Sequence, residues 1–241
     1  LSIIKAHDPS HVIVCFDAGS NKRKEESSEY KANRKPLEPD FLSENRTLLN
    51  EGLYALGIES VGLKGFEADD ILYTFSHIAQ FGLDRFDEII IATVDQDLLQ
   101  CVTERTKVLL WNSVKKQQLV DSEGVMEKWL CEPDDIRFIK ALSGDASDNI
   151  KGIKGVGKKT AISIFYECEG MIERIMEHRK VAEHKDQFLD SLSLVTLKLI
   201  PGEIGPFNWD DYKVGLGMKQ DWVDFLDKYE LGSLAKRVEK T

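Results

Sequence analysis

The chain has no apolar run long enough to span a bilayer, which takes about 20 consecutive apolar residues, and no signal-peptide pattern opens it. No membrane partner is therefore expected. Cysteine is scarce. The four present, Cys15, Cys101, Cys131 and Cys168, lack the close paired spacing of a zinc site or a disulfide framework and fit reduced cytoplasmic thiols. There is no internal repeat and no low-complexity tract. An excess of positive charge is missing too: 32 Lys and Arg face 42 Asp and Glu, for a net charge of −10. Taken alone, that balance argues against a generic nucleic-acid binder. The 241 residues suffice for one large domain or two small ones.

The average charge hides local structure. Residues 20–36 carry Lys22, Arg23, Lys24, Lys31, Arg34 and Lys35 against Glu25, Glu26 and Glu29. Within them, Tyr30-Lys31-Ala32-Asn33-Arg34 sets one aromatic among bases. Such a segment suits phosphate tracking with a stacking platform. A solvated charged loop has the same composition. Lys151, Lys154, Lys158 and Lys159 have no acid near them between Asn149 and Tyr166.

Hydrophobic pattern gives the elements. Residues 1–6 end a helix. Residues 11–16, 58–63 and 87–94 are short apolar runs rich in β-branched residues, the signature of buried, mostly parallel strands. Residues 108–111 and 117–120 form a hairpin. Helices cover 41–56, 67–82, 125–130, 133–142 and 161–166, and the last third is helical apart from an irregular stretch at 205–217. Strands alternating with helices imply an α/β fold, a mostly parallel central sheet flanked by helices.

Acids recur at element ends. Asp17 follows the first strand. Glu67, Asp69 and Asp70 open a helix, where acids also suit the positive end of the helix dipole. Asp95 and Asp97 follow the third strand, and Asp145 and Asp148 lie in Gly144-Asp145-Ala146-Ser147-Asp148-Asn149-Ile150. In open α/β sheets ligands bind outside the carboxyl ends of strands. Carboxylates without His or Cys select Mg²⁺ or Mn²⁺ over zinc. Two such ions about 4 Å apart can activate a water and stabilise the leaving oxygen of a phosphodiester. Each cluster alone reads equally as a capped helix start or a turn. The glycine run Gly152, Gly155 and Gly157 ahead of a helix exposes backbone amides to a phosphate. It lacks Walker A spacing.

These residues resemble the 5′ nucleases of the flap endonuclease family, above all the 5′→3′ exonuclease domain of bacterial DNA polymerase I and its free-standing phage and bacterial relatives. The resemblance rests on Phe16-Asp17-Ala18, Tyr30 to Arg34, Glu67-Ala68-Asp69-Asp70, Asp95-Gln96-Asp97, the Gly144 to Ile150 run and a helix-hairpin-helix at residues 152–157. It implies an α/β nuclease core over 1–142 with a basic arch at 20–40, and a helix-hairpin-helix with a C-terminal helical DNA-binding region over 143–241. One Mg²⁺ would use Asp17, Glu67 and Asp69, and a second Asp95, Asp97 and Asp145, with Asp70 and Asp148 ligating directly or through water. Mn²⁺ would substitute. Lys31 and Arg34 would be catalytic, contacting the scissile phosphate, with Tyr30 stacked on a terminal base. Lys22, Arg23, Lys24, Lys151, Gly155, Gly157, Lys158 and Lys159 would bind DNA, with K⁺ as a candidate ion at the hairpin. The implied activity is hydrolysis of a 5′ flap or 5′ end of DNA, or of an RNA-primer hybrid, by a cytoplasmic monomer of a bacterial or phage-infected cell, in replication or repair.

Two departures follow from the same resemblance. The family opens with a strand ending in a metal-binding Asp, which would precede Leu1 and is expected in the parent chain. The family also places an Arg seven residues after the strand-end Asp, where this chain has Lys24, with Arg23 beside it. Lysine there would lose bidentate phosphate contact. The absent first Asp keeps an alternative open: a non-catalytic, structure-selective DNA-binding module.

Overall fold

Short β-branched runs set the strands, and apolar residues three and four apart set the helices, of the computed structural model, which describes residues 2–19, 21–34, 39–82, 86–111, 117–204, 207–214 and 220–232. In chain order, α1 (Ser2–His7) and β1 (Ile13–Cys15) lead to α2 (Lys22–Glu26), α3 (Pro39–Ala55), β2 (Glu59–Val61) and α4 (Ala68–Phe81). Then come β3 (Ile89–Thr93), a 3-10 turn (Asp97–Cys101), β4 (Thr106–Trp111), β5 (Gln117–Val120) and α5 (Ser122–Trp129). They are followed by α6 (Ile136–Ser143), the two-residue strands β6 (Gly144–Asp145) and β7 (Ile150–Lys151), α7 (Lys158–Glu167), α8 (Ile172–Glu177), α9 (Lys185–Val195), α10 (Pro201–Ile204) and α11 (Gln220–Lys228).

The chain divides into two compact units: Leu1–Asp17, Pro36–Leu63 and Ile204–Thr241 in the first, Ala18–Lys35 and Lys64–Glu203 in the second. In the first, β1 and β2 pair in parallel, Ile13 opposite Glu59 and Cys15 opposite Val61. Ala55 of α3 shares a small core with Trp222, Phe225 and Leu226 of α11. In the second, β3 runs parallel to β4, with Ile91 opposite Val108, and β5 returns antiparallel beside β4. The core centres on α6, whose Ile136, Ile139 and Leu142 are three apart and fully buried. Each such side chain contributes about 1.5–3 kcal/mol by leaving water. That face packs on α7 and α9, which add Ile164 and Phe188.

The mixed α/β architecture agrees with the sequence. The expected central, mostly parallel sheet is not what forms. Among the described residues the strands make three small sheets, β1-β2, β3-β4-β5 and β6-β7, with two parallel and two antiparallel pairings. A parallel pairing needs a crossover of a dozen or more residues, and β4 and β5, like β6 and β7, follow each other too closely in the sequence for one. Residues 112–116 between β4 and β5, residues 20 and 35–38 of the basic segment, parts of the 205–217 stretch and residues 233–241 lie outside the described residues. Among those described, no helix is long and apolar enough to cross a membrane.

Candidate active site

The second unit gathers acids and bases around the start of α4. Glu67 stands at the N-cap in an extended conformation, yet its side chain makes no capping bond. Its carboxylate accepts from the Tyr30 hydroxyl at 2.8 Å, from Arg23 Nη1 at 3.0 Å and from Lys31 Nζ. Asp70, one turn on, receives both arms of the Arg23 guanidinium, Nη1 at 2.6 Å and Nη2 at 2.7 Å. Burial opposes the charge on Arg23, but the bonds to Asp70 and the charges of Asp70 and Glu67 outweigh it and raise its pKa. Glu67, Asp70 and Arg23 are all buried.

The turn after α2 carries the remaining bases and is docked on the β6-β7 ribbon. Lys31 adopts a left-handed backbone, φ 54°, and its N–H donates to the Asp148 carbonyl at 2.8 Å. Asn33 Nδ2 reaches the Ala146 carbonyl, and Asn149 Nδ2 reaches that of Glu29. Arg34 Nη2 donates to Asp148 at 2.5 Å, and the Tyr30 hydroxyl to the same carboxylate at 3.2 Å. Tyr30 is therefore buried, not offered as an open platform. Burial first, then the charges of Glu67 and Asp148, push its hydroxyl well above the usual phenol range, so it remains a donor.

A second acidic group forms at the end of β3. The Asp95 carboxylate accepts from the Asp97 N–H at 2.9 Å, fixing the turn into the 3-10 segment. Lys140, buried on α6, bridges Asp97 and Asp145, donating to Asp145 Oδ2 at 2.6 Å. The two acids respond oppositely. Burial, with the charges of Asp95 and Asp145 adding to it against Lys140, pushes Asp97 up to about 6. For Asp145, burial is outweighed by the bonds from Lys140 and Ser147, which hold it down at about 2.

One cavity joins the two groups, lined by Arg23, Tyr30, Glu67, Asp69, Asp97 and Asp148. Asp17 lies in the first unit, just past β1. The donor chemistry fits a hard divalent cation: every candidate ligand is a carboxylate. As the side chains stand, Lys and Arg supply that charge. Among the described residues, no three His, Cys, Asp or Glu side chains converge as a metal site.

The glycine segment links the ribbon to α7. Gly144, at φ +79°, lies so close to Gly152 that a Cβ on Gly152 would stand 2.2 Å from the Ser143 carbonyl carbon and 2.4 Å from the Gly144 nitrogen. Ile153 and Val156 are buried, while Lys154, Gly155, Gly157 and Lys159 are exposed. A Cβ at Gly155 or Gly157 would meet nothing within 4 Å, and Gly157 caps α7 without a side chain. Lys158 is already engaged. Its ammonium lies 3.7 Å from the centre of the Trp129 ring and donates to the Lys128 carbonyl.

Two family models cover most of the chain: "5′-3′ exonuclease, N-terminal resolvase-like domain" over residues 1–130, and "5′-3′ exonuclease, C-terminal SAM fold" over residues 131–212. The chain belongs to the 5′-3′ exonuclease family. DNA polymerase I of Bacillus subtilis (strain 168) is 36% identical over 208 residues, 82% of this chain and 23% of that protein. A 5′-3′ exonuclease of the same strain is 35% identical over 190 residues, 74% of this chain and 59% of the relative. The chain thus matches less than two thirds of the length of either. A bacteriophage T5 flap endonuclease, solved as a pseudo-enzyme-product complex with DNA and metal ions, shares the fold at TM-score 0.66 and 20% identity, over 94% of this chain and 86% of that one.

Two contributors to this site escaped the sequence. Lys140 reads as one cation in the apolar run of α6, and its spacing of five from Asp145 was the available signal. Arg23, which the resemblance had placed among the DNA-binding residues, is buried with its fork on Asp70, while Lys24 is exposed. The backbone of residues 196–200 also joins the cluster, through contacts that no local motif announces.

Proposed function

We propose that this chain is a structure-specific 5′ nuclease that hydrolyses phosphodiester bonds at 5′ flaps or 5′ ends of DNA with the help of divalent cations. One observation carries the proposal: Glu67, Asp69, Asp97 and Asp148 line one cavity, and the turn bearing Lys31 and Arg34 is docked on Glu67 and Asp148. Glu67 and Asp69 on one side, and Asp95, Asp97 and Asp145 on the other, would hold Mg²⁺, with Asp148 nearby. Asp17 enters on its sequence position alone. Bound Mg²⁺ would supply the Lewis acid that activates water and stabilises the leaving oxygen. Lys31 and Arg34 then exchange their carboxylate partners for the scissile phosphate. Half the Arg34 side chain is exposed, at 52%, which leaves it reachable. The amides around Gly155 and Gly157, with Lys151 and Lys159, hold the duplex backbone, in keeping with their exposure.

A second reading, a non-catalytic DNA-binding module, is favoured by a different observation: Glu67, Asp70, Asp97, Asp145 and Asp148 are already paired with Arg23, Lys31, Arg34 and Lys140. Incubation with 5′-flapped and 3′-flapped duplexes in Mg²⁺ separates the two. Release of an oligonucleotide from the 5′-flapped duplex alone supports the nuclease. Tight binding of the 5′ flap without cleavage supports the module.

A further inference from the structure

The adjacent acids Asp69 and Asp70 do different work. Asp69 lines the cavity with Glu67. Asp70 does not line it, and its side chain is 2% exposed. Its two oxygens receive the Arg23 fork, and Oδ1 also accepts the Lys198 N–H at 2.9 Å. Three of about four acceptor positions on the carboxylate are therefore filled by protein donors. The second arm of Arg23 reaches the Thr196 carbonyl at 2.9 Å. One turn along α4, Thr74 Oγ1 accepts the Ile200 N–H at 3.0 Å and donates to the Asp70 carbonyl at 2.7 Å. Residues 196, 198 and 200 alternate, as in an extended chain, and the side chains of Arg23, Asp70 and Thr74 serve as the neighbouring strand. Lys198 Nζ meets Glu26 at 3.2 Å, which ties the end of α2 to the same strap.

We propose that Asp70 is a positioning residue and not a metal ligand: with Arg23 it clasps residues 196–200 and α2 to the start of α4, and so sets where Lys31 and Arg34 stand over the acids. The statement about metal and cleavage rests on the nuclease reading. The clasp itself does not.

Two measurements on the full chain test it. In Asp70→Asn, Mn²⁺ affinity, read from free Mn²⁺ by electron paramagnetic resonance, is expected within threefold of the parent. Amide exchange at Lys198 in the metal-free protein is expected to quicken at least tenfold. Arg23→Lys keeps the charge but loses the fork, and serves if Asp70→Asn does not fold. It is expected to speed Lys198 exchange by the same factor and to slow single-turnover 5′-flap cleavage at least tenfold, with flap Kd within threefold. A tenfold loss of Mn²⁺ affinity in Asp70→Asn would overturn the proposal, as would unchanged Lys198 exchange in the folded variants. Unchanged cleavage by Arg23→Lys would overturn the positioning role. If the parent binds no Mn²⁺, the nuclease reading fails and exchange alone decides the clasp.

Discussion

Lys140 donates to Asp145 across 2.6 Å, from the last turn of α6 to the ribbon strand that follows it. The same ammonium bonds Asp97, so one buried cation bridges two acids from separate elements. Burial opposes that charge, and Asp97 and Asp145 together raise the lysine pKa above its ordinary value. A cation held there lets the two acids pack together.

Lys140→Met would leave the partly buried Asp97 and Asp145 without the counter-charge that the buried ammonium supplies. Breaking a buried pair by removing one partner costs about 3–5 kcal/mol. The metal-free variant is expected to melt well below the parent. Added Mg²⁺, which binds only the folded state, should raise its melting temperature more than it raises the parent's. Equal metal-induced shifts in the two proteins would show that the lysine and the metal do not share the site.

Asp97 predicts a pH dependence of metal-free stability. Its folded pKa of about 6 is above the ordinary 3.8, so the folded chain binds more protons between those values. Stability attributable to Asp97 therefore falls as pH rises from about 4 to about 6. Asp145, held at about 2, acts in the opposite sense, and its contribution is lost only as pH falls below the usual carboxylate range. Urea midpoints at pH 4.5 and 7 in EDTA check this. Asp97→Asn should flatten the decline.

The glycines of the hairpin separate folding from binding. Gly152→Ala forces a Cβ into the backbone of Ser143 and Gly144 and is expected to cost about 3 kcal/mol or more. Gly157→Ala meets open space and should change stability by no more than about 1 kcal/mol. If Gly157 approaches the DNA backbone, Gly157→Ala weakens duplex binding while the urea midpoint holds.

Much of this was legible because the acids sit at element ends. Glu67 falls at the N-cap of α4 and Asp95 just after β3, where apolar runs give way to polar residues. The hairpin β4-β5 and the helix after Gly157 were equally plain from pattern. What sequence could not show is partnership across distance. Asp69 and Asp70 are the same residue type side by side, and only the strap some 128 positions later distinguishes them. Tyr30 read as a stacking platform because its neighbours are charged, yet its ring joins the apolar core and its hydroxyl bonds Glu67 and Asp148. The three separate sheets were hidden because strand runs of two to six residues do not state their partners.

The most direct test of the nuclease account is single-turnover cleavage of a 5′-flapped duplex by this chain and by Asp145→Asn, each in Mg²⁺ and in EDTA. The account predicts flap release by the parent in Mg²⁺ alone, at least a hundredfold slower in the variant, with flap binding in Ca²⁺ retained by both. Cleavage that persists in EDTA, or that Asp145→Asn leaves intact, would contradict it.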